Sequence, residues 1–287
     1  MQQMSDHDEV LFEIRRSHLN KGLRGFPVGT VRTSKVDPYS GVSYVGYPIA
    51  DLAHQDPEAV IYLLLNKELP NDAQLFEFRA ELARRATVDP RVWELMGALP
   101  KDGHPMEWLM NGLLYLGMTG KTGDFREDGL NLIARSGALV ANVFRIRNGW
   151  GEPREPQPER GLVENMVYMM GIPDADADKV TRMLRIFYVL HMDHGGGNLS
   201  TFTGKAVASG LADIYASMTG AMAGLYGPRH GRANQDSLNF VRGVGSSDPA
   251  IVEQFVRDTL ALLLLDLLVE KPMEVGHRRV VVDLHGE

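Results

Sequence analysis

The chain has 287 residues, enough for one large or two smaller domains around a sizeable core. Hydrophobic residues make up 44% and charged residues 23%, as in ordinary globular proteins, and a net charge of −7 with no basic stripe argues against nucleic-acid binding. The absence of cysteine excludes disulfides, thiol nucleophiles and thiolate metal sites, and is compatible with a reducing compartment.

The first twenty residues carry Asp6, Asp8, Glu9, Glu13, Arg15 and Arg16 and no apolar run of signal-peptide length, so a cytoplasmic location is expected. Residues 20–50 are punctuated by Gly22, Gly25, Pro27, Gly29, Pro38, Gly41 and Gly46, with a turn at Asp37–Gly41 between two short strands. Helical spacing then runs over Glu58–Leu69, and Asn71 or Asp72 is placed to cap the following helix. Helices are predicted over 90–99, 105–118, 125–150, 160–170, 176–192, 199–225 and 231–242. A further helix follows the start signal Ser247-Asp248-Pro249. Gly151–Glu159, with three prolines, reads as a loop. The stretch Leu260–Val269 is too short to span a bilayer and reads as a buried helix, so no membrane association is expected. The fold class is mainly α.

The predicted helix 199–225 carries Gly204, Ala208, Ala212, Ala216, Gly220 and Ala223 at three- to four-residue spacing. Such small residues let another helix approach closely. The spacing fits either an ordinary buried helix or an interface helix of a homodimer. Polar clusters flank it: His191, Asp193, His194 and Asn198 before, Gly227-Pro228-Arg229-His230-Gly231 after. Clusters of this kind at helix ends suit a small anionic ligand.

Of the nine histidines, His7, His18 and His54 read as surface residues, and His104, just before Pro105, as a cap or buried contact. His191 and His194 form an HxxH pair without a third ligand at helical spacing, so no metal site is expected. Asp193 is placed to fix a neighbouring imidazole tautomer, and Gly195-Gly196-Gly197 lets backbone approach a ligand. Asn198 either caps the next helix or donates to an oxyanion. His230 precedes a helix start, where a neutral ring is expected; it either polarises a carbonyl or only caps the helix.

The segments GLRGFPVGT…DPYSGVSYVGYPIADLA, LPKDGHPM, HMDHGGGN and GPRHGRANQ closely resemble the citrate synthase family, whose motifs read DHEGGN and GPLHG.AN. The resemblance runs from about Phe12 to Gln235, with a partial third motif at Glu274-Val275-Gly276-His277. It implies a multi-helical large domain over 1–227 with a short N-terminal β-hairpin region, and the beginning of a small domain over 228–287. It also implies a homodimer, with helices 105–118, 125–149 and 199–225 at the interface. The implied reaction joins acetyl-CoA to oxaloacetate, giving citrate and CoA. Acyl-CoA is then a co-substrate, and no cofactor is permanently bound. On that resemblance His194 binds the oxaloacetate carboxylate with Asn198 and His191 at the same site, His230 holds the enol of the acetyl group, and His277 polarises the ketone. A 2-methylcitrate synthase using propionyl-CoA is the near alternative.

Departures from the family pattern are specific. Gly195 stands where glutamate is usual, and Val45 replaces the arginine of RGY. After His277 the family reads AVLR, whereas this chain reads Arg278-Arg279-Val280-Val281-Val282-Asp283-Leu284. The resemblance therefore implies a truncated or altered small domain. The proton-abstracting aspartate and the oxaloacetate-clamping arginines are then missing, and condensation is expected to be slow. A catalytically inactive member that dimerises or binds a dicarboxylate is the second reading, and an unrelated helical binding protein the third.

Overall fold

The structure, a computed structural model, describes residues 12–18, 30–193, 195, 197–228 and 230–268. The chain divides into two compact units, Met1–His230 and Gly231–Glu287.

The first unit opens with an antiparallel sheet of three short strands, β1 (Ser34–Asp37), β2 (Gly41–Tyr44) and β3 (Tyr47–Pro48), in that order. The expected turn forms because the Asp37 carboxylate accepts from the amides of Tyr39 and Ser40, each at 2.9 Å, and because Gly41 supplies φ +82°. Register places Ser34 opposite Tyr44. Helices α1 (Ile49–Leu52), α2 (Pro57–Asn66), α3 (Asp72–Arg85), α4 (Pro90–Gly97), α5 (Pro105–Gly120), α6 (Phe125–Arg147), α7 (Leu162–Met170) and α8 (Ala177–Leu190) follow. Their starts are local chemistry. Asn71 and Gln74 make a reciprocal capping box, Asp89, Asp124 and Asp176 cap α4, α6 and α8, and the His104 ring accepts from the Met106 amide at the head of α5. α2 stops three residues short of the expected Leu69, because Lys67 turns left-handed at φ 70°.

One expectation is corrected. The predicted helix 199–225 is two helices, α9 (Leu199–Ser209) and α10 (Ile214–Leu225). Gly210 ends the first, Leu211 takes φ 61°, and the Asp213 carboxylate accepts from the Ala216 amide to start the second. Glycine and a capping aspartate in close succession outweigh the continuing small-residue period. The small residues serve the contact between the two halves. A Cβ on Gly204 would lie 3.2 Å from the Ala221 Cβ, and one on Gly220 2.9 Å from a Val207 methyl.

The main core gathers Val92, Met96, Trp108, Leu113, Leu116, Leu132, Leu139, Met169 and Tyr215 from α4 to α7 and α10. A second cluster, Tyr44, Leu52, Val60, Leu63 and Val189, ties β2 to α1, α2 and α8, with Val45 and Met192 packed against it. That cluster anchors the segment leading to the polar motifs.

The second unit holds α11 (Ala233–Val244) and α12 (Pro249–Leu268). Asp248 accepts from the Ala250 amide at 2.8 Å, as its start signal requires, and the rings of Phe240 and Phe255 pack at 5.3 Å between centroids. Among the described residues no helix is long and apolar enough to cross a membrane.

Candidate functional site

A straight helix over 199–225 would separate its ends by about 40 Å at 1.5 Å per residue. Folding back at Gly210 instead brings the start of α9 beside the end of α10: a Cβ on Gly224 would lie 3.4 Å from the Ser200 Cα. The two polar motifs meet there.

Asn198 caps α9. Its Oδ1 accepts from the Thr201 amide at 2.8 Å and from the Ser200 hydroxyl at 2.6 Å, and its Nδ2 donates to the Gly195 carbonyl at 3.0 Å. The His230 ring Nε2 lies 3.1 Å from the Ser200 Oγ, and the His230 amide donates to the Gly227 carbonyl at 2.9 Å. Asn198, Ser200 and His230 thus form one hydrogen-bonded row. α11 opens only at Ala233, so His230 lies in the turn before that helix rather than in its first turn.

The row constrains proton positions. Oδ1 of Asn198 has no proton to give, and the Ser200 hydroxyl has one. With that proton on Asn198, His230 must donate through Nε2, and a neutral ring then carries its lone pair on Nδ1. With the hydroxyl turned to Nε2, the proton moves to Nδ1 and the ring offers a donor on its other edge. Ser200 therefore sets which edge of His230 faces a ligand as donor. The sequence reading missed Ser200. Its signal, a hydroxyl two residues after a capping Asn, has meaning only once the ends of 199–225 are known to be adjacent.

Asp193 does not meet an imidazole among the described residues. Its Oδ1 accepts from the Ser34 hydroxyl at 3.0 Å and from the Gly195 amide at 2.7 Å. Gly195 holds φ +86°, a conformation open to glycine and strained for other residues, which accounts for glycine at a position where the resembling motif carries glutamate. The Tyr44 hydroxyl donates to the Val189 carbonyl at 3.0 Å and accepts from the Asp193 amide at 3.3 Å; burial pushes its phenol up, so it stays a donor.

His191 caps the C-terminus of α8 and is not joined to this row among the described residues. Its Nδ1 donates to the Phe187 carbonyl at 2.8 Å, and its ring stacks on Phe187 at 4.0 Å. It lines an apolar groove of about 560 Å³ with Ile61, Leu64, Met192, Met218 and Met222. His194 and His277 lie outside the described residues.

Residues 22–280 match the family described as citrate synthase, C-terminal domain. Citrate synthase 4, mitochondrial, of Arabidopsis thaliana is 32% identical over 267 residues, covering 84% of this chain and 55% of its own length. The 2-methylcitrate synthase of Mycobacterium tuberculosis is 34% identical over 282 residues, covering 95% of this chain and 67% of its own. The crystal structure of citrate synthase from Thermotoga maritima superposes with a TM-score of 0.73 at 28% identity, covering 85% of this chain and 65% of that one. The chain spans between about half and two thirds of the length of these relatives. With the match extending over most of its residues and the fold shared, the chain belongs to the citrate synthase family.

Proposed function

We propose that the chain carries the oxaloacetate half of a citrate synthase site and acts in condensing an acyl-CoA with oxaloacetate. The observation that carries this reading is the row Asn198–Ser200–His230, formed where the ends of α9 and α10 meet. Oxaloacetate is a dianion, and a helix start with imidazole and amide donors suits it better than the chain's overall negative field would. When the Ser200 hydroxyl turns from Asn198 to the His230 Nε2, the ring carries Nδ1–H, donates it to the thioester oxygen and stabilises charge as the enol forms. Asn198 supports the oxaloacetate carboxylate. His194, His277 and His191 join the proposed binding set by resemblance. A homodimer is part of the same proposal.

Propionyl-CoA is the second acyl donor to consider, because the M. tuberculosis 2-methylcitrate synthase is 34% identical and covers 95% of the chain. Thiol release with acetyl-CoA against propionyl-CoA, each with oxaloacetate, separates the two. Oxaloacetate at a hundred times its dissociation constant should stabilise the fold by about 2.7 kcal/mol, and His230→Ala and Asn198→Ala should remove both this shift and any turnover. Stabilisation without turnover would favour a dicarboxylate-binding member; no stabilisation would refute the site.

A further inference from the structure

We propose that Ser34 and Tyr44 of the hairpin are positioning residues for this site, acting through Asp193 and Gly195. The proposal rests on reading Asn198 and His230 as the dicarboxylate site. Tyr44 is fully buried, and its hydroxyl bridges the last turn of α8, at the Val189 carbonyl, and the Asp193 amide. Ser34, its cross-strand partner, donates to the Asp193 carboxylate. Asp193 then holds the Gly195 amide, the Gly195 carbonyl accepts from Asn198, Asn198 accepts from the Ser200 hydroxyl, and the Ser200 Oγ meets the His230 Nε2. An unbroken run of hydrogen bonds joins two hairpin hydroxyls to the imidazole.

A second observation points the same way. Val45 follows Tyr44 with φ 51° and precedes Gly46 at φ 90°. Two residues in left-handed conformation make a tight turn that ordinarily takes Asn-Gly, and a β-branched residue there is strained. Val45 is nevertheless tied by its amide to the Thr33 carbonyl at 2.8 Å, and its side chain packs on the cluster that Met192 also joins. Strain of this kind persists where the surroundings over-determine it, and it gathers at functional sites. Here it sits next to the residue whose hydroxyl meets the Asp193 amide.

A hairpin that merely braces α8 would affect melting temperature alone when its hydroxyls are removed. A positioning role moves ligand affinity. The test compares wild type, Ser34→Ala, Tyr44→Phe, the double variant and Ser34→Thr, which keeps a hydroxyl. Oxaloacetate affinity is read by calorimetry and amide hydrogen exchange over 193–198 by mass spectrometry. The double variant should raise the oxaloacetate dissociation constant about tenfold, the usual scale for lost supporting hydrogen bonds, and speed exchange at 193–198 while β1 and β2 stay protected; Ser34→Thr should restore the single-site loss. Unchanged exchange, or faster exchange with unchanged affinity, overturns the positioning role while leaving the site reading intact. A wild-type chain that does not bind oxaloacetate overturns the site reading, and the positioning role with it.

Discussion

Where α5 meets α6, Leu113, Leu116, Leu132 and Leu139 are nearly or fully buried and share one core cluster with Trp108. α9, by contrast, has no fully buried residue and meets α10 through Gly204, Gly220 and Gly224. The first contact removes large apolar side chains from water, each contributing roughly 1.5–3 kcal/mol. The second removes little, but it lets two backbones come close enough to set Ser200 and His230 3.1 Å apart. Stability and site geometry thus reside in different contacts of one unit, and they should respond to different substitutions.

The largest effect should come from the first contact. Leu139, fully buried, sits directly over Gly112, where an added Cβ would lie 2.5 Å from its methyl. Leu139→Ala should lower unfolding free energy by about 2–5 kcal/mol through the cavity it leaves. Oxaloacetate affinity of the folded fraction, measured well below the melting temperature, should stay at the wild-type value; a matching loss of affinity would collapse the distinction between the contacts. Gly204→Val is the converse. Its new side chain meets the Ala221 Cβ at 3.2 Å and the Ser217 carbonyl at 3.3 Å, and the latter is backbone that cannot rotate away. Denaturation should report a smaller loss, about 1–3 kcal/mol, because overpacking is relieved by parting the helices. Oxaloacetate affinity should fall more than tenfold as Ser200 and His230 separate. Retained affinity in Gly204→Val would mean the seam does not hold the site.

How far this division was legible in the sequence depends on the range of the interactions involved. Asn71 and Asp248 announce their helices because a cap bonds an amide two or three residues away. The hairpin turn at Asp37–Gly41 is legible for the same reason. The break at Gly210–Asp213 was not, because the small-residue spacing continues across it and a lone glycine does not end a helix by rule. That one error hid the contact between Ser200 and His230. With 199–225 read as a single rod, Ser200 and His230 belong to opposite ends, and nothing in their spacing suggests contact. Asn198 and His230 were found through their motifs, whereas Ser200, Ser34 and Tyr44 act through partners 30, 159 and 149 positions away in the chain.

Asp213 gives a smaller effect and a pH signature. Its carboxyl is held below its ordinary value of 3.8, first by the Ala216 amide and then by Lys121. A carboxylate whose folded pKa is depressed contributes stability that is present above the unfolded value and is lost as pH falls through the folded one. Asp213→Ala should therefore cost about 1 kcal/mol at neutral pH, and the difference from wild type should close as pH drops below about 4. A difference that persists undiminished at pH 2 would show that the side chain acts through packing rather than as a charged cap.

The smallest stability effect, and the one that separates geometry from stability most cleanly, is expected for Ser200→Ala. The substitution removes one hydroxyl from the row, while Asn198 still caps α9 through the Thr201 amide. Loss of a single partly buried hydrogen bond is worth about 0.5–1.5 kcal/mol, and alanine's better helix propensity offsets part of it. The His230 ring, however, loses the partner that decides which nitrogen bears its proton. Imidazole nitrogen shifts of His230, read by NMR, should move from one dominant tautomer toward a mixture, and oxaloacetate or acyl-CoA-dependent signals should weaken far more than the melting temperature falls. Ser200→Thr keeps the hydroxyl and should restore the tautomer. If the alanine variant shows wild-type ring shifts, the proton on His230 is set elsewhere, and the adjacency of α9 and α10 would then matter for packing alone.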